Sequence, residues 1–244
     1  MTRVLFDAGG EAAGPGDPVT LDARRSHHLV RVLRLRAGES VEAFDGAGNL
    51  FAATVAEADP KRSVLRLGDR LSRETESPLS ITLAQCLSSA ERMDWTIEKA
   101  VELGARAIVP LDSDRSQIRL DATRAARKHE HWLRIAESAC AQSGRVWLPA
   151  LHPLKPLRAF VAEALPGRRL VLAPGSPMPL SAAGVARGDS LTLLAGPESG
   201  FSEAELALAT AAGFQPVSLG PRILRTETAG LAAIAALQAL AGDF

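Results

Sequence analysis

The sequence of 244 residues is poor in cysteine, and Cys86 and Cys140 each lie inside an apolar stretch. No group of cysteines and histidines has the spacing of metal ligands, which argues against a zinc site. His129 and His131 stand two residues apart on a predicted helix without a third ligand nearby, so a solvated helix face is expected. We therefore expect no metal, and the two thiols fit a reducing cytoplasm.

Long apolar runs are also missing. The N-terminal segment MTRVLFDAGGEAAG turns acidic and glycine-rich after one short strand-like run, so it lacks the apolar core of a signal peptide. Near the C-terminus, AGLAAIAALQALAG is apolar but too short to span a bilayer. We expect this segment to be a buried helix that packs on its own sheet or across a dimer, and the protein to be cytoplasmic.

Common nucleotide-binding and hydrolase motifs are absent as well. No G-x-G-x-x-G fingerprint and no Gly-Lys pair occurs, so neither a Rossmann nor a P-loop signature is present. A serine-hydrolase elbow around Ser199 would need glycine at the positions of Pro197 and Phe201. Ser199 is therefore not expected to be a nucleophile.

The charge is balanced at 28 basic and 28 acidic residues, so only local clusters can indicate a polyanionic partner. The densest basic run is RRSHHLVRVLRLR, residues 24–36, with five arginines, two histidines and no acidic residue. It predicts a short helix with Ser26 as N-cap and with Leu29, Val32 and Leu33 pointing inward. Its basic face suits phosphate contacts, although a merely solvated face would have the same composition.

The sequence pattern differs between the first part of the chain and the rest. Residues 1–72 hold short alternating segments and the hairpin signal DGAGN, which predict a small antiparallel sheet or barrel. The polar, proline-terminated LSRETESP, residues 71–78, is the predicted boundary. Beyond it apolar strands alternate with helices, including residues 122–143, which predicts a parallel sheet covered by helices. Capping boxes at Ser88 with Glu91, and at Ser202 with Glu205, mark two helix starts.

Two Gly-Pro turns follow predicted strands of this second part. In LTLLAGPESGFSEAEL a helix start favours anions, but Glu198 would repel a phosphate, so a neutral or locally positive ligand is expected. The second turn, in PVSLGPRILRTETAGLAAIAAL, contains Gly220 and Pro221. If the two strands are neighbours, the turns form a crevice of the kind that binds ligands in α/β sheets. Ordinary loops with Arg222 and Arg225 in solvent would show the same pattern.

The segments GPESGFSEAE and LGPRILRTETA resemble the paired signature of the SPOUT methyltransferases, in particular of the ribosomal RNA small subunit methyltransferase E (RsmE) family. HHLVRVLRLRAGE, FDGAGN, ERMDWTIEKAVELGARAIVPLDSDRS and SACAQSGR resemble that family in the same order, so the similarity covers nearly the whole chain. Two departures are Ser199, where the family usually has glycine, and Ala141, where an acidic residue often precedes Gln-Ser.

The resemblance implies an α/β fold: a C-terminal SPOUT-type trefoil-knot domain over residues 78–244 and an N-terminal PUA-like β-barrel over residues 1–72 that binds RNA. It also implies a homodimer. The implied reaction is methyl transfer from S-adenosylmethionine (SAM) to N3 of a uridine in 16S ribosomal RNA of the small ribosomal subunit, without a metal. The alternatives are another SPOUT methylation, at the ribose 2′-oxygen, and a non-catalytic RNA-binding assembly factor.

The implied reaction, the two Gly-Pro turns and the basic run together indicate candidate site residues. Glu198 or Glu227 would accept the N3 proton, and Arg225 would stabilise the anionic base or its phosphate, although Glu227 could equally be a helix-start carboxylate that satisfies backbone N–H groups. The cofactor would be bound by Leu194, Ala195, Gly196, Pro197, Gly200, Leu219, Gly220, Ile223, Leu224, Thr226, Thr228 and Ala229, with backbone groups of residues 194–196 and 219–224 around the adenine and ribose. RNA would be bound by Arg24, Arg25, His28, Arg31, Arg34, Arg36 and Arg115.

Overall fold

The structure, a computed structural model, describes residues 2–9 and 13–244. The chain forms two compact units, the first of Met1–Glu76 with Cys140–Leu148 and the second of Ser77–Ala139 with Pro149–Phe244. The first unit thus includes a short stretch far along the chain, which a single linear boundary does not describe. The predicted domain limits, 1–72 and 78–244, remain a prediction. Part of the glycine-rich N-terminal segment, residues 10–12, lies outside the described residues.

In the described residues, the first unit contains a five-stranded sheet in the order β1-β3-β4-β5-β2. Its strands are β1 Arg3–Leu5, β2 Pro18–Thr20, β3 Ser40–Phe44, β4 Leu50–Glu57 and β5 Val64–Leu71. Among the described pairs of this sheet, β1–β3 is parallel and the others are antiparallel. The predicted hairpin is confirmed between β3 and β4, where the Asp45 carboxylate accepts from the amides of Ala47 and Asn49 at 2.8 and 3.0 Å.

The basic run of residues 24–36 begins with helix α1, Ala23–His27, which Asp22 caps. The prediction of Ser26 as N-cap was wrong, because Ser26 lies inside the helix and is buried. Its hydroxyl donates to the carbonyl of Leu21 at 3.1 Å and accepts from the amide of Ser63 at 2.8 Å. Ser26 therefore joins the helix to the edge of the sheet.

A π-helical turn, His28–Val32, continues α1, and the amide of Leu33 donates to the carbonyl of His28 across it. Because a π turn is wider than an α turn, side chains after it are rotated from the predicted positions. Leu29 is buried as predicted, but Val32 is 58% and Leu33 37% exposed, so the expectation that these two point inward was wrong.

The second unit contains a parallel sheet in the order β12-β10-β11-β6-β7-β8, with β9 also paired to β7. Its described strands are β6 Ser80–Cys86, β7 Ala107–Asp112, β8 Ala150–Leu151, β9 Lys155–Pro156, β10 Arg168–Leu172, β11 Ser190–Ala195 and β12 Gln215–Val217. The predicted parallel sheet is confirmed. The strands β8 and β9 were not predicted, because two residues carry no readable periodicity.

Helices connect these strands. They are α2 Ala90–Glu102, α3 Ala122–Ser143, α4 Leu157–Val161, α5 Glu203–Ala211 and α6 Thr226–Ala241, with a 3-10 turn at Leu180–Ala182. The capping box of Ser202 and Glu205 is confirmed at α5. That of Ser88 and Glu91 was wrong, because α2 starts one residue later, with Ser89 in the N-cap position and no side-chain cap.

The apolar C-terminal helix α6 buries one face in the second unit, including Leu231, Ala233, Ile234 and Leu237. This face packs on α2 and on strands β6 and β11 of the same chain. It therefore serves the core of its own unit, one of the two predicted roles. Among the described helices, none is both long and apolar enough to cross a membrane.

The two histidines of α3 are not merely solvated, contrary to prediction. His129 Nε2 lies 3.0 Å from the carbonyl oxygen of Leu151, and His131 Nε2 lies 2.8 Å from Asp94 Oδ2. These contacts attach α3 to neighbouring segments of the second unit. Within residues 2–9 and 13–244, no group of three or more His, Cys, Asp or Glu side chains could hold a metal ion.

Candidate functional site

A cavity of about 290 Å³ lies at the carboxyl ends of β10, β11 and β12. Parallel strands leave such a crevice where the chain turns from each strand into the next segment, and α/β proteins bind ligands there. The lining is largely apolar, and turn backbone rich in glycine and proline forms much of it. The described lining residues are Leu172, Ala173, Pro174, Gly196, Pro197, Glu198, Gly200, Phe201, Leu206, Val217, Leu219, Gly220, Arg222, Ile223, Leu224, Thr226 and Ala229.

Most of the residues assigned to the cofactor lie in this lining. Those that do are Gly196, Pro197, Gly200, Leu219, Gly220, Ile223, Leu224, Thr226 and Ala229. Leu194 and Ala195 are instead buried within β11, while Thr228 lies on the exposed side of the first turn of α6. None of these three residues belongs to the described lining of the cavity.

In the sheet, strand β10 lies between the strands that carry the two Gly-Pro turns. Its carboxyl end supplies a part of the cavity wall that was not predicted from the sequence. The predicted crevice was conditional on β11 and β12 being neighbours, but β10 lies between them and pairs with both. Its end, 172–174, therefore forms the middle of the crevice. The sequence feature that could have indicated this part of the wall is Pro174-Gly175. This turn dipeptide follows a strand, as Gly196-Pro197 and Gly220-Pro221 do.

A buried hydrogen-bond cluster holds the first Gly-Pro turn in place. The Thr226 hydroxyl donates to the carbonyl of Gly196 at 2.6 Å. The Gln85 amide Nε2 donates to the Thr226 hydroxyl at 3.0 Å and reaches the same Gly196 carbonyl at 3.4 Å. Both donor side chains are buried, and together they satisfy this carbonyl with hydrogen bonds from the protein itself. The cluster thereby joins β6, the turn after β11 and the start of α6.

Backbone conformation explains the glycines of the two turns. Gly200 and Gly220 have φ of 70° and 92°, a left-handed region that favours glycine. At Gly196 the constraint is steric, because a Cβ there would lie 3.1 Å from the Phe201 ring. Phe201 itself lines the cavity, so Gly196 and Phe201 pack together to define its edge.

Ser199 has a role beyond being small. Its hydroxyl donates to the carbonyl of Arg115 at 2.9 Å, and Arg115 Nη1 lies 3.4 Å from the carbonyl of Phe201. The amide of Asp114 donates to Glu205 Oε1 at 2.7 Å. The segment after β7 is thus bound to the loop after β11. Arg115, which was assigned to RNA, lies beside this same loop.

The three residues assigned to catalysis occupy different environments. Glu198 lines the cavity, whereas Glu227 lies at the start of α6 and is not part of the lining. Arg225 precedes α6 and is exposed, and its backbone carbonyl accepts from the amides of Thr228 and Ala229. The structure therefore brings one carboxylate to the cavity edge and leaves the guanidinium in solvent.

Arg92, in the first turn of α2, connects the two carboxylates and was missed from the sequence. Its Nη1 is in ion-pair contact with Glu198 Oε1, and its Nε lies 3.5 Å from Glu227 Oε1. Arg92 belongs to the ERMDW segment, which is part of the family resemblance, but nothing local to that segment indicates which acids it contacts.

The residues assigned to RNA other than Arg115 lie in the first unit, on α1 and the turn after it. Arg24, His28, Arg31, Arg34 and Arg36 are exposed. Arg25 is half-buried and pairs with Asp22 at 2.6 Å. Although partial burial opposes it, the hydrogen bond from the Arg25 amide and the charges of Arg25 and Arg24 lower the pKa of Asp22. This carboxylate is therefore ionised at neutral pH and reduces the positive charge at the start of the run.

Neither cysteine has the environment of a reactive nucleophile. Burial raises the pKa of the Cys86 thiol, and it raises the pKa of Cys140 to about 11. Both side chains therefore remain protonated at neutral pH and act as small core residues.

Family models match both parts of the chain. The model of an RNA methyltransferase domain matches residues 75–238, and that of an RNA methyltransferase PUA domain matches residues 21–68. A curated relative from Buchnera aphidicola, ribosomal RNA small subunit methyltransferase E, is 31% identical over 92% of this chain and 88% of its own length.

Two solved structures resemble the whole chain. A methyltransferase of Legionella pneumophila in complex with SAM is 37% identical, with a TM-score of 0.94 over 100% of this chain and 99% of the other. A ribosomal RNA small subunit methyltransferase E of Neisseria gonorrhoeae, bound to SAM, is 37% identical, with a TM-score of 0.90 and the same coverage. The matches confirm the predicted fold class, α/β with a PUA-like N-terminal domain and a SPOUT-type C-terminal domain.

The hydrogen-bond cluster at Gly196 predicts a stability effect. Thr226→Val keeps the shape of the side chain but leaves the buried Gln85 amide and the Gly196 carbonyl short of a partner. We expect it to lower the free energy of unfolding by about 1–3 kcal/mol. Thr228→Val, on the exposed side of the same helical turn, is the matched control. Denaturant unfolding curves of the two variants measure the difference, and equal midpoints would contradict the role given to Thr226.

Proposed function

The chain belongs to the ribosomal RNA small subunit methyltransferase E family, and on this premise we propose that it methylates N3 of a uridine in 16S ribosomal RNA with SAM as the methyl donor. The observation that carries the proposal is the cavity at the carboxyl ends of β10, β11 and β12, with one carboxylate, Glu198, at its edge. Its position and its lining both suit a nucleoside-containing cofactor.

The lining fits the chemical groups of SAM. Apolar side chains such as Leu172, Leu219 and Leu224 suit the faces of an adenine ring, and the Gly-Pro turns allow close approach to backbone N–H and C=O groups. Glu198 suits the positive sulfonium, which also explains why this turn carries an acid where a phosphate loop would not. When bound, SAM supplies an electrophilic methyl group.

The proton on uracil N3 has to be removed as the base is methylated, and a carboxylate can accept it. Of the two acids assigned to this role, Glu198 is favoured because it lines the cavity and Glu227 does not. Arg225 is exposed and directly precedes Thr226 of the lining, and we assign it the stabilisation of the negative charge of the base or of an RNA phosphate. The protein thus needs no metal for this reaction.

The target uridine has to be unpaired, because N3 lies on its Watson–Crick edge. Affinity for RNA then has to come from contacts outside the cavity. The exposed basic residues of the first unit, with Arg31 and Arg34 near the middle of the run, support phosphate binding by the PUA-like domain.

A homodimer and a cytoplasmic location complete the proposal. The dimer is supported by large apolar side chains that remain exposed on α2 and at the C-terminal end, namely Trp95, Leu240 and Phe244. The cytoplasmic location is supported by the proposed substrate and by the two buried thiols, Cys86 and Cys140.

The proposed activity predicts one missing modification in cells that lack the protein. Mass-spectrometric mapping of 16S ribosomal RNA should show a single N3-methyluridine that disappears on deletion and returns with the intact gene. A lost ribose 2′-O-methyl group would instead identify the alternative SPOUT reaction. An unchanged modification pattern would favour a non-catalytic assembly role, which a SAM-binding titration would examine directly.

The catalytic assignment predicts distinct effects on the chemical step. In single-turnover assays with saturating SAM and RNA, Glu198→Gln should slow methyl transfer by roughly 10²–10⁴-fold, because the proton acceptor is lost. Arg225→Ala should give a smaller loss, and Glu227→Gln one smaller than that of Glu198→Gln. Unimpaired chemistry in all three variants would refute the assignment, and the largest loss in Glu227→Gln would transfer the base role to that residue.

The basic run predicts weaker and less salt-dependent RNA binding after charge reversal. The double variant Arg31→Glu with Arg34→Glu should lower affinity for small-subunit RNA and reduce the slope of log Kd against log salt by about two, one for each lost phosphate contact. Arg62→Glu with Arg134→Glu changes the net charge equally at exposed arginines outside the run. Equal effects of the two variants would argue against a specific basic surface.

A further inference from the structure

One cation is shared by two acids at the edge of the cavity. Arg92 comes from α2, Glu198 from the loop after β11 and Glu227 from the first turn of α6. The Arg92 guanidinium uses Nη1 toward Glu198 and Nε toward Glu227, so it lies between the two carboxylates. Three separate segments therefore meet at this group of charges.

The three side chains are partly shielded from solvent. Arg92 is 32%, Glu198 26% and Glu227 18% exposed, whereas pairs on an open surface are strongly screened. A planar guanidinium with several N–H donors can fix the direction of a carboxylate in a way that a point charge cannot. Partial burial and the shape of the donor together make Arg92 suited to orient Glu198.

The environment of each carboxylate distinguishes their roles. Glu198 Oε1 meets Arg92 and also lies 3.4 Å from the amide of Ser89 at the start of α2. Glu227 Oε2 is buried and has no hydrogen-bond partner among the described residues. Glu198 therefore reaches the cavity from a fixed position, whereas Glu227 contacts Arg92 and is not part of the described lining.

We propose that Arg92 is a positioning residue for methyl transfer: it holds the Glu198 carboxylate at the cavity edge, and Glu227 in turn holds Arg92. The inference rests on the proposed function, because it assigns Arg92 a part in the reaction of the same site. Arg92 is not in the described lining of the cavity, so it acts through Glu198. It also gives Glu227 a role other than proton acceptance.

A double-mutant cycle tests whether Arg92 acts through Glu198. In single-turnover assays with saturating SAM, Arg92→Met should slow methyl transfer at least tenfold, and Arg92→Lys should recover part of the rate because it keeps a cation there. The variant with both Arg92→Met and Glu198→Gln should be no slower than Glu198→Gln alone, because Arg92 acts through that carboxylate. The Kd for SAM should change less than threefold. Arg134→Met, at an exposed arginine of α3, is the matched control.

Several results would overturn the inference. They are an undiminished rate in Arg92→Met, a failure of Arg92→Lys to recover any rate, and a double variant whose loss is the product of the two single losses. The last result would show that Arg92 acts independently of Glu198, as a contact to an RNA phosphate would.

A structural measurement separates this inference from the proposed function. Hydrogen exchange of the backbone amides at 198–201 should be faster in Arg92→Met than in the wild type and in Arg134→Met, since the loop loses its charged anchor. Unchanged exchange would refute the positioning role, whatever the activity. If the wild-type protein formed no N3-methyluridine, the proposed function would fail, and exchange alone would decide whether Arg92 positions Glu198.

Discussion

The candidate site depends on the carbonyl group of Gly196, where a strand of the parallel sheet becomes a turn. This half-buried carbonyl accepts from two buried side chains elsewhere in the unit, Gln85 and Thr226. Because Thr226 is also the first residue of α6, the bond fixes the start of that helix against the turn. Buried side chains of the unit thereby fix the position of the cavity wall, although the loops that form the wall face solvent.

A hydrogen bond and an ion pair also hold the loop after β11 in place. The loop after β11 is tied on one side by Ser199 to the segment after β7, and on the other by Glu198 to Arg92 of α2. Each tie joins segments that are far apart in the sequence. A loop fixed at both sides loses little entropy on binding a ligand, which favours affinity.

Much of the architecture could be predicted because it depends on sequence patterns within short segments. The hairpin at DGAGN, the helix of residues 122–143 and the capping box at Ser202 follow from turn chemistry and periodicity within a few residues. β5 is harder to recognise, because Gly68 and Asp69 interrupt the alternation after Leu67. The Ser26 error had a different origin, since Asp22 is an equally good cap four residues earlier.

Within the site, the two Gly-Pro turns were readable, but the partners that complete it were not. The end of β10 lies between them only because of the strand order, and chain order does not specify which parallel strands are neighbours. Arg92 meets Glu198 and Glu227 across more than a hundred residues of sequence. Such pairings are properties of the folded chain, and charge alone does not select one acid among 28.

The π-helical turn in the basic run shows how sequence length can shape a surface. An i→i+5 turn holds one residue more than an α turn, and one residue corresponds to about 100° of rotation around a helix axis. In an uninterrupted α-helix, the segment that follows Val32, with Arg34 and Arg36, would leave the helix in a different direction. A related chain that is one residue shorter here could thus keep every arginine and still present a different charged face, so composition alone is a poor guide to whether relatives share this surface.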